Sequence, residues 1–586
     1  MSTRSLFSFL ESLNHDTKKL EKDMIANYKQ LYHIKARIQC QINSANVTQN
    51  IVTRKFFFGF DVFMFRQLYR RNLSVFNPKT VNGSSPVTLS NYVNGEWKRA
   101  SSFTDIVDPM NGDVILKMPN TSKEDLGPFV ERMRSIPKSG LHNPLRNVDR
   151  YVEYGAISFR LACALDNPEI EEHFALCIQR VAPKSYAQCL GEVRVVKAFL
   201  QNFSGDQVRY LARGFHVSGD HAGQQTQGYR WPFGSTCIVS PFNFPLEIPV
   251  LQLMGALYMG NHVTLKAAST VSVVMEEWVR LMLACGMPPN DVNLIHCSGS
   301  VVSDLIARGL PRMTQFTGSS GVAEQLAVLT RGKIKIEDAG FDWKILGPDV
   351  SGIDYCAWQC DQDAYAFSGQ KCSAQSILFA HENWISGGIL DKLKMLANTR
   401  NLADLTIGPV LSHTTADILA HVDALLHIPG SRLLFGGKAL DSPIPSCYGA
   451  VTPTAVFVPL SEIGENFSLV TREIFGPFQI VSSYENIDHV LPLLEKMDNH
   501  LTAAVVSGDP NFVNKVLGET VNGTTYAGVR ARTSGAPQNH WFGPCGDPRG
   551  AGIGSPEAIQ LVWSAHREII RDEAPIPAQW TTPKAT

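Results

Sequence analysis

The sequence predicts an α/β protein built on a doubly wound parallel sheet. Three observations carry that expectation. Short β-branched runs alternate with longer apolar runs between residues 234 and 337. Glycines close two of the longer runs, at Gly260 and Gly286. The chain has 586 residues, 44% of them hydrophobic and 18% charged, enough for two or more domains with their own cores. Repeated strand–helix–strand signals imply parallel strands joined by crossover helices, with ligands at the carboxyl ends of the strands.

Residues 1–45 read as a charged, partly amphipathic helix with Leu6, Phe9, Leu10 and Leu13 near its start; Glu11, Asp16, Glu21 and Asp23 are unusual for an import signal. From Asn46 to Asn94 the character turns basic, with Arg54, Lys55, Arg66, Arg70, Arg71 and Lys79 against the single acid Asp61. The run Met64-Phe-Arg-Gln-Leu-Tyr-Arg-Arg-Asn-Leu-Ser has the composition of an organelle transit segment. Either translation from Met64 leaves residues 1–63 out of the working protein, or the stretch is a solvated basic linker. No fold is expected in residues 1–90, the N-terminal extension.

Folded sequence is expected from Asn91-Tyr-Val-Asn-Gly-Glu-Trp, where Asn94-Gly95 signals a hairpin. Thr236–Val239 then reads as a strand, Leu246–Met259 as a helix, His262–Lys266 as a strand and Val271–Cys285 as a helix. Val292–His296 (strand), Val302–Arg308 (helix) and Met313–Phe316 (strand) follow; Gly318-Ser319-Ser320-Gly321 opens a further helix, and Lys333–Glu337 closes the series as a strand.

The composition argues against several function classes. Net charge is −1, from 53 basic and 54 acidic residues, which recommends neither nucleic acid nor a membrane surface as a partner. No run of 18 apolar residues predicts a membrane span. Twelve scattered cysteines suit a reducing compartment. The spacing of Cys356, Cys360 and Cys372 matches no common zinc pattern, so no metal is expected.

The chemistry gathers around Phe367-Ser-Gly-Gln-Lys-Cys372-Ser-Ala. A nucleophilic cysteine needs its thiolate favoured, and Lys371 or a helix N-terminus are the candidate sources. No Gly-x-Gly-x-x-Gly fingerprint is present; Phe316-Thr-Gly318-Ser319-Ser reads either as a phosphate-binding helix N-terminus or as a plain strand-to-helix turn. Asn243, between Pro241 and Pro245, is a turn-stabilising residue on its own evidence.

Taken together, the chain from about residue 91 to 570 resembles the aldehyde dehydrogenase family. Gly369-Gln-x-Cys372 resembles the nucleophile motif, Pro241-Phe-Asn243-Phe-Pro the oxyanion motif, and Lys266 the lysine on the nucleotide ribose. Phe316-Thr-Gly318-Ser319 resembles the pyrophosphate turn, Glu337 the general base, and Glu473-Ile-Phe475-Gly-Pro the clamp on the nicotinamide ribose. Longer blocks are similar to the family's plant-type Δ1-pyrroline-5-carboxylate dehydrogenase branch: Gly369-Gln-Lys-Cys-Ser-Ala, Glu337-Asp-Ala-Gly-Phe-Asp-Trp-Lys, Asn539-His-Trp-Phe-Gly-Pro and Arg180-Val-Ala-Pro-Lys-Ser-Tyr.

The resemblance implies an aldehyde dehydrogenase fold: a Rossmann-like NAD-binding domain (91–209 and 233–336), an α/β catalytic domain (337–530) and a β-strand oligomerisation arm (210–232 and 555–586). It implies NAD-dependent oxidation of L-glutamate γ-semialdehyde to L-glutamate in the mitochondrial matrix; the alternative is another polar aldehyde such as succinic semialdehyde. Cys372 would attack the aldehyde, the Asn243 side chain and the Cys372 backbone amide would hold the oxyanion, and Glu337 would activate water. Glu337 is followed by Asp338-Ala-Gly rather than the family's usual Leu-Gly-Gly, which leaves Asp338 as an alternative base. The substrate's amino-acid end would meet Lys371, Ser373 and the Thr533-Ser534-Gly535 loop, with Phe244 and Phe542 around its stem. That loop reads Ser534-Gly535 where animal and bacterial relatives have Gly-Ser. Three positions past Lys266 stands Ser269 rather than the glutamate that repels a 2′-phosphate, yet NAD remains the expected cofactor. The arm implies a homo-oligomer, dimer or tetramer.

Overall fold

The computed structural model describes residues 74–338 and 340–586; the N-terminal helix and the Met64 start lie outside the described residues. The expected series forms throughout. Strands Ser235–Val239, His262–Lys266, Val292–Leu294, Met313–Gly318 and Ile334–Asp338 alternate with helices Glu247–Tyr258, Ser272–Ala284, Gly299–Gly309 and Ser320–Thr330. Boundaries shift where side chains intervene. The helix expected from Val302 begins earlier because Ser298 sits in extended conformation and its hydroxyl accepts from the Val301 amide. The strand expected to reach His296 stops at Leu294, and the His296 amide donates to Asn91 Oδ1 instead.

These strands make one sheet in the order Ile334–Asp338, Met313–Gly318, Ser235–Val239, His262–Lys266, Val292–Leu294, then Asn91–Val93 and Glu96–Lys98. The first five run parallel, and the last two attach as an antiparallel hairpin. Its turn residues Asn94 and Gly95 both have positive φ, 54° and 79°, as a two-residue turn matched to strand twist requires. From Ser235–Val239 the chain winds first to one side and later to the other. The crevice at the carboxyl ends of Ser235–Val239 and Met313–Gly318 is therefore the topological switch point. The chain places Asn243 just beyond one of these ends and Gly318-Ser319 at the other.

Order begins earlier than residue 91. Phe76 and Leu89 are fully buried, Val87–Thr88 pairs with Val114–Pro119, and the Val75 and Phe76 amides donate to Glu277 Oε1 at 2.8 and 3.1 Å. The expectation of no fold before Asn91 is corrected for residues 74–90. The acceptor lies some two hundred positions downstream, so no local pattern announces it.

A second sheet of seven strands follows in the order Arg432–Phe435, Thr454–Phe457, Phe478–Tyr484, Gln375–His381, Asp342–Leu346, Thr502–Val506, Thr524–Ala527, parallel except at the first edge. Its faces are covered by a large apolar cluster that includes Phe341, Trp343, Ile377, Ile480 and Val505. Residues 339–341 alone separate Ile334–Asp338 of the first sheet from Asp342–Leu346 of the second.

Strands Phe215–Ser218, Gln224–Pro232 and Ser564–Asp572 form a separate antiparallel sheet with Gln224–Pro232 in the middle. Helix Pro556–Trp563 leads into it and packs on helix Glu247–Tyr258, with the Trp563 indole seated on Gly255. Phe215, Val217 and Ile570 are exposed on this sheet.

Candidate active site

The two sheets meet at a cavity of about 230 Å³ whose lining includes Phe244, Lys371, Cys372, Ser373, Ser534 and Phe542. Cys372 lies in the turn that precedes Gln375–His381. Glu337 lies on the edge strand of the other sheet, in register with Thr317. The two side chains face each other closely enough to interact, and Glu337 also neighbours Thr317. Asp338, alternating to the other side of the strand, is bonded to Ser320 instead. Gly340 lets the base strand pass the nucleophile turn, since a Cβ there would stand 2.1 Å from the Cys372 carbonyl oxygen.

The nucleophile turn is held in an unusual backbone conformation. Phe367, Ser368 and Gly369 have successive φ values of 54°, 53° and 68°. Left-handed conformation costs a non-glycine residue about 1–3 kcal/mol, so surrounding contacts must enforce it. Ser368 Oγ accepts from the Gly408 amide at 2.8 Å and donates to the Gly408 carbonyl at 3.0 Å. The Gln370 side chain bonds the Pro409 carbonyl at 2.9 Å and the Leu411 amide at 2.7 Å. Gly369 packs on the Gly476 carbonyl, where a Cβ would be 1.9 Å away, and so draws the Glu473–Phe475 loop to the site.

Electrostatics correct one expectation. Lys371, the candidate from sequence, is not among the groups that weigh most on the Cys372 thiol. Desolvation first, then the nearby Glu337, Asp342 and Glu473, hold the thiol well above its ordinary range. Burial raises Glu337 to about 7 and Glu473 to about 8. Lys371 is itself lowered to about 8 by burial. Glu337 is thus the acidic group with the largest effect on the thiol, its own carboxyl poised near neutrality.

Asn243 is buried at the switch point, and its Oδ1 has no hydrogen-bond partner among the described residues, so the side-chain amide is not consumed by the fold. A buried ion pair missing from the sequence reading sets its loop. Lys184 Nζ donates to Glu192 Oε2 at 2.6 Å and to the Asn243 carbonyl at 3.0 Å, and sits 4.3 and 4.5 Å from the ring centroids of Phe244 and Phe367. Glu192 Oε1 accepts from the Leu246 and Glu247 amides at 2.9 and 3.1 Å, capping the helix that follows Asn243. The only sequence signal was that Lys184 lies in a block shared with relatives. Lys184→Met leaves Glu192 charged and unpaired in the interior, which is expected to lower stability by about 3–5 kcal/mol. Chemical denaturation checks this, with Lys184→Met/Glu192→Leu recovering part of the loss.

The polar end of the cavity is tied down similarly. Ser373 Oγ donates to Ser534 Oγ at 3.1 Å, and the Thr533 amide donates to Asp363 Oδ2 at 2.8 Å, itself paired with buried Lys344 at 2.7 Å. The order Ser534-Gly535 has a physical reason here. A Cβ at 535 would lie 2.1 Å from the Tyr526 hydroxyl, so the side chain belongs at 534. Phe244 and Phe542 both line the cavity.

Residues for a nucleotide gather on the other side of Cys372. Lys266 ends its strand half-buried, its ammonium depressed by desolvation, and no hydrogen bond or ion pair reaches it from the described residues. Ser269 follows in a short 3₁₀ turn, and Gly318-Ser319 opens helix Ser320–Thr330 with no side chain capping its N-terminus. Glu473 Oε1 accepts from the Gly340 amide at 3.3 Å, and the Phe475 ring meets Phe242 edge-on at 5.8 Å. A lone ammonium, a helix N-terminus and a half-buried carboxylate suit a ligand carrying both phosphate and ribose hydroxyls.

Comparison with known proteins agrees with this geometry. The aldehyde dehydrogenase family model matches residues 97–546. A probable aldehyde dehydrogenase of Linum usitatissimum is 56% identical over 92% of this chain and 98% of its own. The mitochondrial Delta-1-pyrroline-5-carboxylate dehydrogenase 12A1 of Arabidopsis thaliana is 57% identical over 86% and 92%. Among solved structures, betaine aldehyde dehydrogenase from Staphylococcus aureus in complex with NAD+ superposes with a TM-score of 0.71 at 19% identity, covering 89% of this chain and 100% of that one. With Glu337 and Cys372 brought together from two sheets, and a family model spanning most of the sequence, the chain belongs to the aldehyde dehydrogenase family.

Proposed function

We propose that this enzyme oxidises L-glutamate γ-semialdehyde, in equilibrium with Δ1-pyrroline-5-carboxylate, to L-glutamate with NAD in the mitochondrial matrix, as the last step of proline catabolism. The observation that carries the reading is one cavity with Cys372 on its wall beside the Ser373–Ser534 hydroxyl pair and Lys371. A four-carbon polar end fits such an anchor; a purely apolar aldehyde would leave those groups unsatisfied. The names of the Arabidopsis relative and of its compartment support the substrate and the location.

In the reaction, Glu337 accepts the Cys372 proton, and the thiolate attacks the aldehyde carbon. The Asn243 side-chain amide and the Cys372 amide donate to the oxyanion, one such donor contributing about 3 kcal/mol in the transition state. Lys266, Ser269, Gly318, Ser319, Glu473 and Phe475 would hold NAD, which when bound accepts the hydride that converts the tetrahedral adduct into a Cys372 thioester. Once Glu337 has released that first proton to solvent, its carboxylate takes a proton from the water that hydrolyses this thioester, and Cys372 leaves as thiolate. The domains act as a nucleotide-binding unit (91–209, 233–336), a catalytic unit (337–530) and an arm (210–232, 555–586). The exposed Phe215, Val217 and Ile570 support pairing of that arm with another copy, as a dimer or tetramer.

Purified protein given Δ1-pyrroline-5-carboxylate and NAD is expected to form NADH faster, in kcat/KM, than with NADP or with succinic semialdehyde. Robust turnover confined to other aldehydes would overturn the substrate while leaving the family intact.

A further inference from the structure

The cavity contains two acidic side chains that the reaction does not use, Glu192 and Glu247. They differ in what they already hold. Glu192 is consumed by Lys184 and by the amides of Leu246 and Glu247. Glu247, the first residue of helix Glu247–Tyr258, is 8% exposed, and no described residue donates a hydrogen bond to its carboxylate or forms an ion pair with it. Lys371, half-buried, lines the same cavity; it and Lys184 attract the Glu247 carboxylate, but neither forms an ion pair or hydrogen bond with it. A buried carboxylate without a partner is costly, and so is a buried ammonium; a zwitterionic ligand placed between them relieves both.

Resting on the substrate proposed above, we propose that Glu247 is the counter-ion for the substrate's α-ammonium, and that Lys371 with the Ser373–Ser534 pair takes its α-carboxylate. Glu247 is then the residue by which this enzyme tells an amino-acid semialdehyde from the same aldehyde without the amine. Burial pushes the Glu247 carboxyl up to about 8 and draws Lys371 down to about 8, so the charges of neighbouring side chains do not make up for the lost solvent at either group.

The test compares kcat/KM for glutamate γ-semialdehyde with kcat/KM for glutarate semialdehyde, which has the same carbon chain and no amine. In the intact enzyme the amino substrate is expected to be preferred. In Glu247→Gln that ratio is expected to fall by about 10- to 100-fold, mostly through KM, because a charged hydrogen bond is lost only with the amine present. Glu247→Asp, which keeps the charge on a shorter arm, is expected to lose less than Glu247→Gln. A ratio unchanged in both variants, or an equal loss on both aldehydes, would overturn the role of Glu247 while leaving the substrate assignment standing. An intact enzyme that turns over glutarate semialdehyde but not glutamate γ-semialdehyde would overturn the substrate assignment itself.

Discussion

Cys372→Ala is expected to lower kcat by at least about 10⁴-fold, with NADH formation from Δ1-pyrroline-5-carboxylate falling to background. The size follows from the chemistry: no other thiol lines the cavity and no base activates its serine hydroxyls, so the thiohemiacetal route closes rather than slows. Cys372 is also the lone cysteine lining the cavity, while Cys356 and Cys360 are buried in helix Ile353–Tyr365. Titrating NAD by quenching of protein fluorescence is expected to give an unchanged Kd, since Lys266, Gly318 and Glu473 are untouched. Retained turnover would remove Cys372 from the mechanism; lost NAD binding would make the loss of rate a folding effect.

Glu337→Gln is expected to lower steady-state kcat by about 10²- to 10⁴-fold, the range for a positioned general base. Rapid mixing is expected to show at most one NADH per active site before the slow phase, because glutamine keeps the shape but cannot take a proton from the hydrolytic water. The pH profile gives an independent reading. Burial raises the Glu337 carboxyl to about 7, and the base is its ionised form. The intact enzyme's kcat should therefore climb as pH rises through about 7 and flatten above, and this limb should vanish in Glu337→Gln. The linkage to stability has the opposite sense: because the folded value lies above the ordinary one, ionising Glu337 costs the fold progressively as pH rises from about 4.5 towards 7. A kcat within threefold of the intact enzyme would move the base elsewhere, with Asp338 as the first alternative to replace.

How much was legible beforehand depended on distance along the chain. The strand–helix series from Ser235 to Asp338 was readable because each element announces itself locally, through β-branched runs, apolar runs and closing glycines. The Asn94-Gly95 turn was readable for the same reason, as only residues tolerant of positive φ can form it. The groups that dominate the surroundings of Cys372 were not readable. Lys371 is adjacent in sequence, but its side chain faces the substrate cavity, while the groups that dominate the thiol, Glu337, Asp342 and Glu473, arrive from other strands and loops. Residues 74–90 were misread because their anchors, Glu276 and Glu277, lie on a helix far downstream.

The sequence by itself determined the α/β class, the order of elements and the set of chemical groups, since helical and strand periodicity and motif spacing are properties of neighbouring residues. Only the tertiary structure decided which of those groups face each other. The three residues between the two sheets carry Glu337 past Cys372, the Lys184–Glu192 pair sets Asn243, and the Tyr526 hydroxyl dictates which of Ser534 and Gly535 bears the side chain. The physical reason is common to all three. Charge and proton transfer depend on separations of a few ångströms inside a medium of low dielectric, and those separations are fixed by packing between elements that the chain's linear order does not bring together.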